Sequence, residues 1–341
     1  MRAYYSAYSR LYMSSDNRDN NSESGETDNE ELLPKANNVI RGEKDSYAIG
    51  KKLAPGRHGA VFEVLRRKDG KRFAAKLEII DSGFNGIHVD YMVLKLAQKK
   101  EMKRIPQLID RGKIENHFKF IVMEKLDDNL HDLRNQFVES RFSATTVLKL
   151  ALETLECIEE LHGKNLIHRD IKPSNFALKR DHDVKIYIID FGLCKKVKGT
   201  TDVEGSEEHP KESTHFNGTP RYASLTAHNY REQTQKDDIE SWMYMLIEML
   251  NGGLPWNIYS HKDREIIKEM KESHRHGPLL KELLKNCPQQ QFAVIFNYLD
   301  SLPPTTPLDH SFIRAQILEA ITSNGLNIIE PYDWEEAIQK Q

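Results

Sequence analysis

The chain has 341 residues, 38% of them apolar, and a formal charge of -3 at neutral pH. That content suffices for one large core or two lobes, and it excludes a chain disordered throughout. No apolar run approaches the ~18 residues that a membrane span requires, and the near-neutral balance argues against nucleic acid as a partner, which leaves a basic footprint.

From the start to about Asn38 the chain mixes Tyr, Ser and Arg and then runs through SSDNRDNNSESGETDNEE. With too few apolar residues to offset ordering entropy, residues 1–40 are expected to form a disordered acidic arm. The arm carries neither a secretory apolar segment nor the acid-poor composition of a transit peptide.

From Tyr47, alternation and glycine take over in YAIGKKLAPGRHGAVFEVLRRKDGKRFAAKLEII. The pattern predicts two strands joined by a tight loop, a turn at Asp69-Gly70 and a third strand ending near Ile80. Glycines in the loop LAPGRHGAV suit a hairpin turn, and equally a backbone whose N–H groups approach an anion. A helix is expected from Ile87 to Lys99, with Val89, Val93 and Leu96 roughly on one face. A strand pair over Gln107 to Arg111 and Phe118 to Met123 follows. Ser143 then offers an N-cap to TTVLKLALETLECIEELH, in which Val147, Ala151, Leu155, Ile158 and Leu161 recur at three and four. Strands giving way to helical periods near Leu130 predict an α+β fold of two lobes.

The chemistry concentrates in LIHRDIKPSN, Leu166 to Asn175, and IYIIDFG, Ile186 to Gly192. Asp170, Lys172 and Asn175 sit on a short polar loop that brings an acceptor, a cation and an amide oxygen to one point. Asp190 ends a β-branched run that comes down a neighbouring strand to face them. Two carboxylates and an amide oxygen suit Mg²⁺ that keeps several waters and binds substrate phosphates. Here the chain resembles a eukaryotic protein kinase, whose paired catalytic motifs are H-R-D-x-K-x-x-N and D-F-G.

The resemblance implies a two-lobed kinase domain over 47–336, with a small β-rich N-lobe (47–126), a larger, mainly helical C-lobe (127–336), and ATP with Mg²⁺ as cofactors. Leu53, Ala54, Pro55, Gly56, Arg57, His58, Gly59, Ala60 and Val61 match the glycine-rich loop over the nucleotide phosphates. Ala54 stands where the first glycine is expected. Ala75 would leave room for adenine, Ala74 belongs to the same nucleotide site, and Lys76 would point at the α- and β-phosphates. The helical partner expected of Lys76 is Asp90, one methylene short of the usual Glu. That requires a closer helix, a bridging water or a weaker pair. Met123 would back the adenine pocket, and Glu124 to Leu126 would supply hinge groups. Asp170 would orient the acceptor hydroxyl and take its proton, Lys172 would stabilise charge on the moving phosphoryl group, and Asn175 with Asp190 would hold the metal. His168 and Arg169 read as scaffold.

Between Gly192 and Phe216 a polar stretch occupies the place of the activation segment, with Ser206, Ser213 and Thr214 available for phosphorylation. Gly218 to Ser224, GTPRYAS, resembles the substrate loop of the casein kinase 1 superfamily. KDDIESWMYMLIEMLNGGLPW is similar to the same group, with Asp238 expected to accept from the catalytic-loop backbone and Trp242 to Leu250 to be a central buried helix. ITSNGLNIIEPYDWE is similar to the close of the tau-tubulin kinase branch. This resemblance implies a serine/threonine kinase for protein substrates, acidic or already phosphorylated, engaged through Thr219 and Arg221. Lys262 is a second candidate cation, whereas Ser260 stands where casein kinase 1 carries a lysine. A weak or inactive pseudokinase scaffold and a small-molecule phosphotransferase are the alternatives. Three widely spaced cysteines, Cys157, Cys194 and Cys287, suit a reduced compartment, so a monomer of the cytoplasm, and also the nucleus, is expected.

Overall fold

Period-two alternation builds the upper sheet. In the computed structural model, which describes residues 32–56, 58–80, 83–180, 183–197, 216–303 and 306–335, strands β1 (Val39–Arg41), β2 (Ser46–Gly56), β3 (Gly59–Arg66) and β4 (Arg72–Ile79) run antiparallel in sequence. Helix α1 (Gly86–Lys99) follows, and then β5 (Leu108–Ile114) and β6 (Phe118–Met123) complete a six-stranded sheet ordered β1-β2-β3-β4-β6-β5. Ala60, Phe62 and Val64 of β3 face inward at every second position, joining Tyr47, Ala75, Leu77, Phe120 and Val122 in an upper core.

Strand β1 lies partly inside the stretch expected to be arm, because Ile40, 2% exposed, completes the upper core and Val39 to Arg41 pair with Ala48 to Ser46. The lobe therefore begins before Tyr47. The acidic run itself lies outside the described residues. The strand expected over Gln107 to Arg111 begins at Leu108 and extends to Ile114, where pairing with Phe118 closes the β5–β6 hairpin.

Below the sheet come α2 (Leu130–Arg134) and α3 (Ala144–His162), the latter capped by Ser143, whose side chain accepts from the Thr146 N–H. Short strands β7 (Leu166–Ile167), β8 (Phe176–Arg180), β9 (Val184–Ile188) and β10 (Lys195–Lys196) frame the catalytic motifs. Helices α4 (Leu225–His228), α5 (Gln235–Asn251), α6 (Arg264–Ser273), α7 (Gly277–Leu283), α8 (Gln289–Ser301) and α9 (His310–Ser323) make up the rest. Helix α5 is buried from Asp237 to Leu250, as an apolar helix must be that packs against neighbours on all sides. Each of its fully buried Ile, Leu and Met side chains contributes on the order of 2 kcal/mol relative to exposure. No helix among the described residues is long and apolar enough to cross a membrane.

Candidate active site

Strand pairing brings the two catalytic stretches together. Antiparallel β8 and β9 match Phe176 with Ile188, so the residue before β8, Asn175, and the residues after β9, Ile189 and Asp190, share one end of the hairpin. The Ile189 N–H closes the contact by donating to the Asn175 carbonyl at 2.9 Å. Asp190 and Arg169 both adopt left-handed backbone, at φ 65° and 68°. For non-glycine residues that conformation costs of order 1–3 kcal/mol each and persists only where surroundings enforce it.

At Arg169 the enforcing group is Asp238 in the first turn of α5. Its carboxylate, 2% exposed, accepts from the His168 N–H at 2.7 Å, the Arg169 N–H at 2.8 Å and His162 Nε2 at 3.0 Å. Burial alone would raise its pKa; the His162 hydrogen bond and the charges around it outweigh burial and hold it below the usual carboxylate value. His168 donates from Nε2 to the Ile189 carbonyl at 3.0 Å and accepts the Asp170 N–H on Nδ1 at 3.3 Å, while Arg169 Nε donates to the Leu193 carbonyl at 2.7 Å. Both side chains tie loop to loop, as expected of scaffold.

Two charged clusters result. In the first, Lys76 Nζ lies 2.5 Å from Asp90 Oδ2 and 2.6 Å from Asp190 Oδ1. The short Asp90 carboxylate is accommodated by a closer helix: α1 begins with the Ile87 N–H donating to Glu78 of β4 at 2.9 Å, and the other Asp90 oxygen accepts the Phe191 N–H at 2.7 Å. Burial works to lower the Lys76 pKa, but the charges of Asp90 and Asp190 outweigh it and raise it. The Lys76 charge in turn holds Asp190 well below the ordinary carboxylate value. Burial, opposed by Lys76, pushes Asp90 upward. Because Asp90 is 2% exposed and its pair is already made, Asp90→Glu is expected to lower turnover several-fold rather than raise it, since the added methylene overpacks the site. Steady-state kinetics of the purified variant check this.

In the second cluster Asp170 Oδ2 meets Lys172 Nζ at 2.7 Å, Asp170 Oδ1 accepts from Thr219 Oγ1 at 2.7 Å, and Lys172 Nζ donates to Thr219 Oγ1 at 3.0 Å. Asn175 Nδ2 donates to the Asp170 backbone carbonyl at 2.8 Å and to its Oδ2 at 3.3 Å, so the amide oxygen is turned away from Asp170. Gly218 makes the approach of the Thr219 loop possible. Its φ is +107°, and a Cβ there would sit 2.8 Å from the Arg169 carbonyl oxygen.

Of the residues expected on the nucleotide side, Ala74 and Lys76 share one face of β4 and Ala75 lies on the other. Lys76 faces the cleft, so Ala74, two residues back, shares its face and lies across from Met123 in the β4–β6 pairing. Ala75 points the other way, into the upper core, and is not an adenine neighbour. Leu53 to Gly56 continue β2 past its last buried residue as an exposed arm, and Gly59 to Val61 begin the return strand. Ala54 occupies an ordinary paired position opposite Val61, where a Cβ is tolerated. Gly59 is different: a Cβ there would lie 1.9 Å from the Leu77 carbonyl oxygen. His58 stacks on Phe84, ring centroids 4.7 Å apart. Arg57 lies outside the described residues, as do Ser206, Ser213 and Thr214. At the hinge the Glu124 N–H returns to the Gln107 carbonyl and the Asp127 N–H to Leu178, each at 2.8 Å, with Lys125 and Leu126 between.

Arg221 is committed inward more than expected, 3.5 Å from the buried Glu248, which also accepts from Tyr222 Oη at 2.6 Å. Glu248 was invisible in the sequence, as one acid in an apolar run. Nearby His228 is 3% exposed; burial, and then the charge of Lys271, lower its pKa from 6.5 to about 3. Between those values the unfolded chain binds a proton that the folded one does not, so His228 subtracts stability progressively as pH falls below about 6.5. His228→Gln is expected to lose less thermal stability than the parent between about pH 7 and pH 4.5, as read by unfolding midpoints.

For a metal, Asp190 offers a half-exposed carboxylate and the buried Asn175 an amide oxygen not engaged by Asp170, both hard donors. Among the described residues no group of three or more His, Cys, Asp or Glu could hold a metal by itself. Such a donor set fits an ion that completes its shell with phosphate and water.

A lysine held by a helix carboxylate, a left-handed Asp after a strand, and an Asp–Lys–Thr triangle beside an Asn are the constellation of one enzyme class. The chain belongs to the protein kinase domain family, whose sequence profile matches residues 47–301. It is 31% identical over 294 residues to a probable serine/threonine-protein kinase of Dictyostelium discoideum, covering 86% of this chain and 57% of that one. It is 29% identical over 308 residues to serine/threonine-protein kinase spe-6 of Caenorhabditis elegans, covering 89% and 79%. The chain thus spans little more than half the length of the Dictyostelium relative.

Proposed function

We propose that the chain is an active serine/threonine protein kinase that transfers the γ-phosphate of ATP to Ser or Thr hydroxyls of protein substrates. The observation that carries this reading is the Asp170–Lys172–Thr219 triangle, in which Asp170 accepts from Asn175, whose carbonyl in turn accepts from Ile189, the residue before Asp190. Asp170 orients the acceptor hydroxyl and receives its proton, Lys172 stabilises charge on the transferring group, and Lys76 holds the α- and β-phosphates. Asn175 and Asp190 would hold Mg²⁺, which would supply neutralisation of phosphate charge. Thr219 ties the substrate loop to Asp170, so an acceptor docked on that loop reaches the base in register.

The same reading places the protein in the casein kinase 1 superfamily, near its tau-tubulin kinase-like branch; the support is the GTPRYAS loop and the C-terminal ITSNGLNIIEPYDWE. It takes acidic sequences as preferred substrates, acts as a monomer without nucleic-acid or membrane partners, and works in the cytoplasm and nucleus. The free thiols of Cys157, Cys194 and Cys287 support a reducing compartment. Incubation with labelled ATP, Mg²⁺ and a peptide library tests the reading. Label is expected on Ser and Thr acceptors with acidic flanks; label confined to Tyr, or none above background, overturns it.

A further inference from the structure

Helix α6 carries a lysine where its periodicity calls for an apolar residue. Ile267 is 2% exposed, and Lys271, one turn further on the same face, is 0% exposed. Burying an ammonium is costly unless every proton finds an acceptor. Lys271 Nζ donates to the Pro220 carbonyl at 2.8 Å and to the Ala223 carbonyl at 2.6 Å, and lies 3.3 Å from His228 Nε2. The rings of Tyr244 and Trp256 flank it, 4.7 and 5.4 Å from their centroids. The Trp256 indole N–H meanwhile donates to the Arg221 carbonyl at 2.8 Å. A Leu or Met at this position would fill the space as well; what it could not do is hold two carbonyls of one loop.

Those carbonyls belong to the Gly218–Ser224 loop, whose Thr219 closes the triangle with Asp170 and Lys172. Inside the loop the Tyr222 and Ala223 N–H groups both return to the Thr219 carbonyl at 2.9 Å. This tight turn leaves the Pro220 and Ala223 carbonyls facing away from it, toward α6. The front of the loop is therefore fastened to the catalytic loop and its back to Lys271. Arg264, at the start of the same helix, lies over the Phe216 ring at 4.9 Å and so fastens the chain just upstream.

We propose that Lys271 is a positioning residue for the acceptor side of the cleft. By holding the Pro220 and Ala223 carbonyls it fixes the Gly218–Ser224 loop against Asp170, and so governs capture of the protein acceptor and not of the nucleotide. The proposal rests on the reading of the chain as a protein kinase. It goes further by giving α6, remote from ATP, a share in substrate recognition.

The test uses the full chain with Lys271→Met, which keeps the length and apolar stem but donates nothing, and Lys271→Gln, which keeps one short donor. For Lys271→Met, kcat/KM for an acidic Ser peptide is expected to fall about tenfold or more, while KM for ATP stays within about twofold. Lys271→Gln should fall between Met and the parent. Amide hydrogen exchange is expected to quicken across residues 219–224 with α3 and α5 protection unchanged. A peptide kcat/KM equal to the parent's, or equal losses toward peptide and ATP, overturns the proposal. So does failure of both variants to fold, which would make Lys271 a residue of the lobe core. A parent chain that phosphorylates no peptide sinks the kinase reading instead, and the exchange pattern still decides whether Lys271 holds the loop.

Discussion

Asp170→Asn is expected to lower phosphate transfer to a Ser peptide by about 10³-fold, within the range that a positioned general base supplies. The substitution keeps side-chain shape and leaves Lys172 bonded to Thr219 at 3.0 Å, so the loop should stay closed. Thermal stability and the added stability conferred by Mg-ATP should match the parent, because Lys76, Asp90 and Asp190 are untouched. A variant retaining more than about a tenth of the parent's rate would remove Asp170 from the reaction. Loss of nucleotide binding along with rate would instead show that the carboxylate serves the nucleotide.

The second large effect belongs to a residue that touches no reactant. Asp238→Ala is expected to destabilise the fold by about 3 kcal/mol or more, because it strands two buried backbone N–H groups and the His162 ring together. Activity should fall further than stability alone explains. Arg169 keeps its left-handed backbone only while its N–H is held, and Asp170 is the next residue. Denaturant unfolding gives the first quantity, and rates measured well below the variant's unfolding midpoint give the second. A variant within about 1 kcal/mol of the parent would mean that the loop is held by other contacts.

Local pattern made much of this legible. The β3 alternation, the Ser143 cap and the α3 periodicity fall where they were expected, because each is specified by neighbours in sequence. That Asp170, Lys172 and Asn175 lie together was legible for a different reason: their spacing is dictated by one tight loop. Asp90 was visible only by its distance from Lys76, and whether so short a carboxylate reaches depends on how far α1 moves toward the sheet, which no local pattern encodes. Ala74 and Ala75 differ by one strand position, and only the face taken by Lys76 separates them. Glu248 and Lys271 are charges at apolar positions of their helices. Tyr222, which donates to Glu248, lies 26 residues away, and Pro220, which accepts from Lys271, lies 51 away, so the sequence shows the anomaly without its cause. Strand β1 is three residues long, too short for alternation to stand out from the polar run before it.

Lys76 is gripped from two sides, by Asp90 of α1 and by Asp190 at the strand end. One nitrogen atom therefore bridges the helix and the end of β9, and α1 cannot shift away from the sheet without breaking that bridge. A substitution on the buried face of α1 is thus felt at Asp190, on the far side of the cleft, through a single side chain.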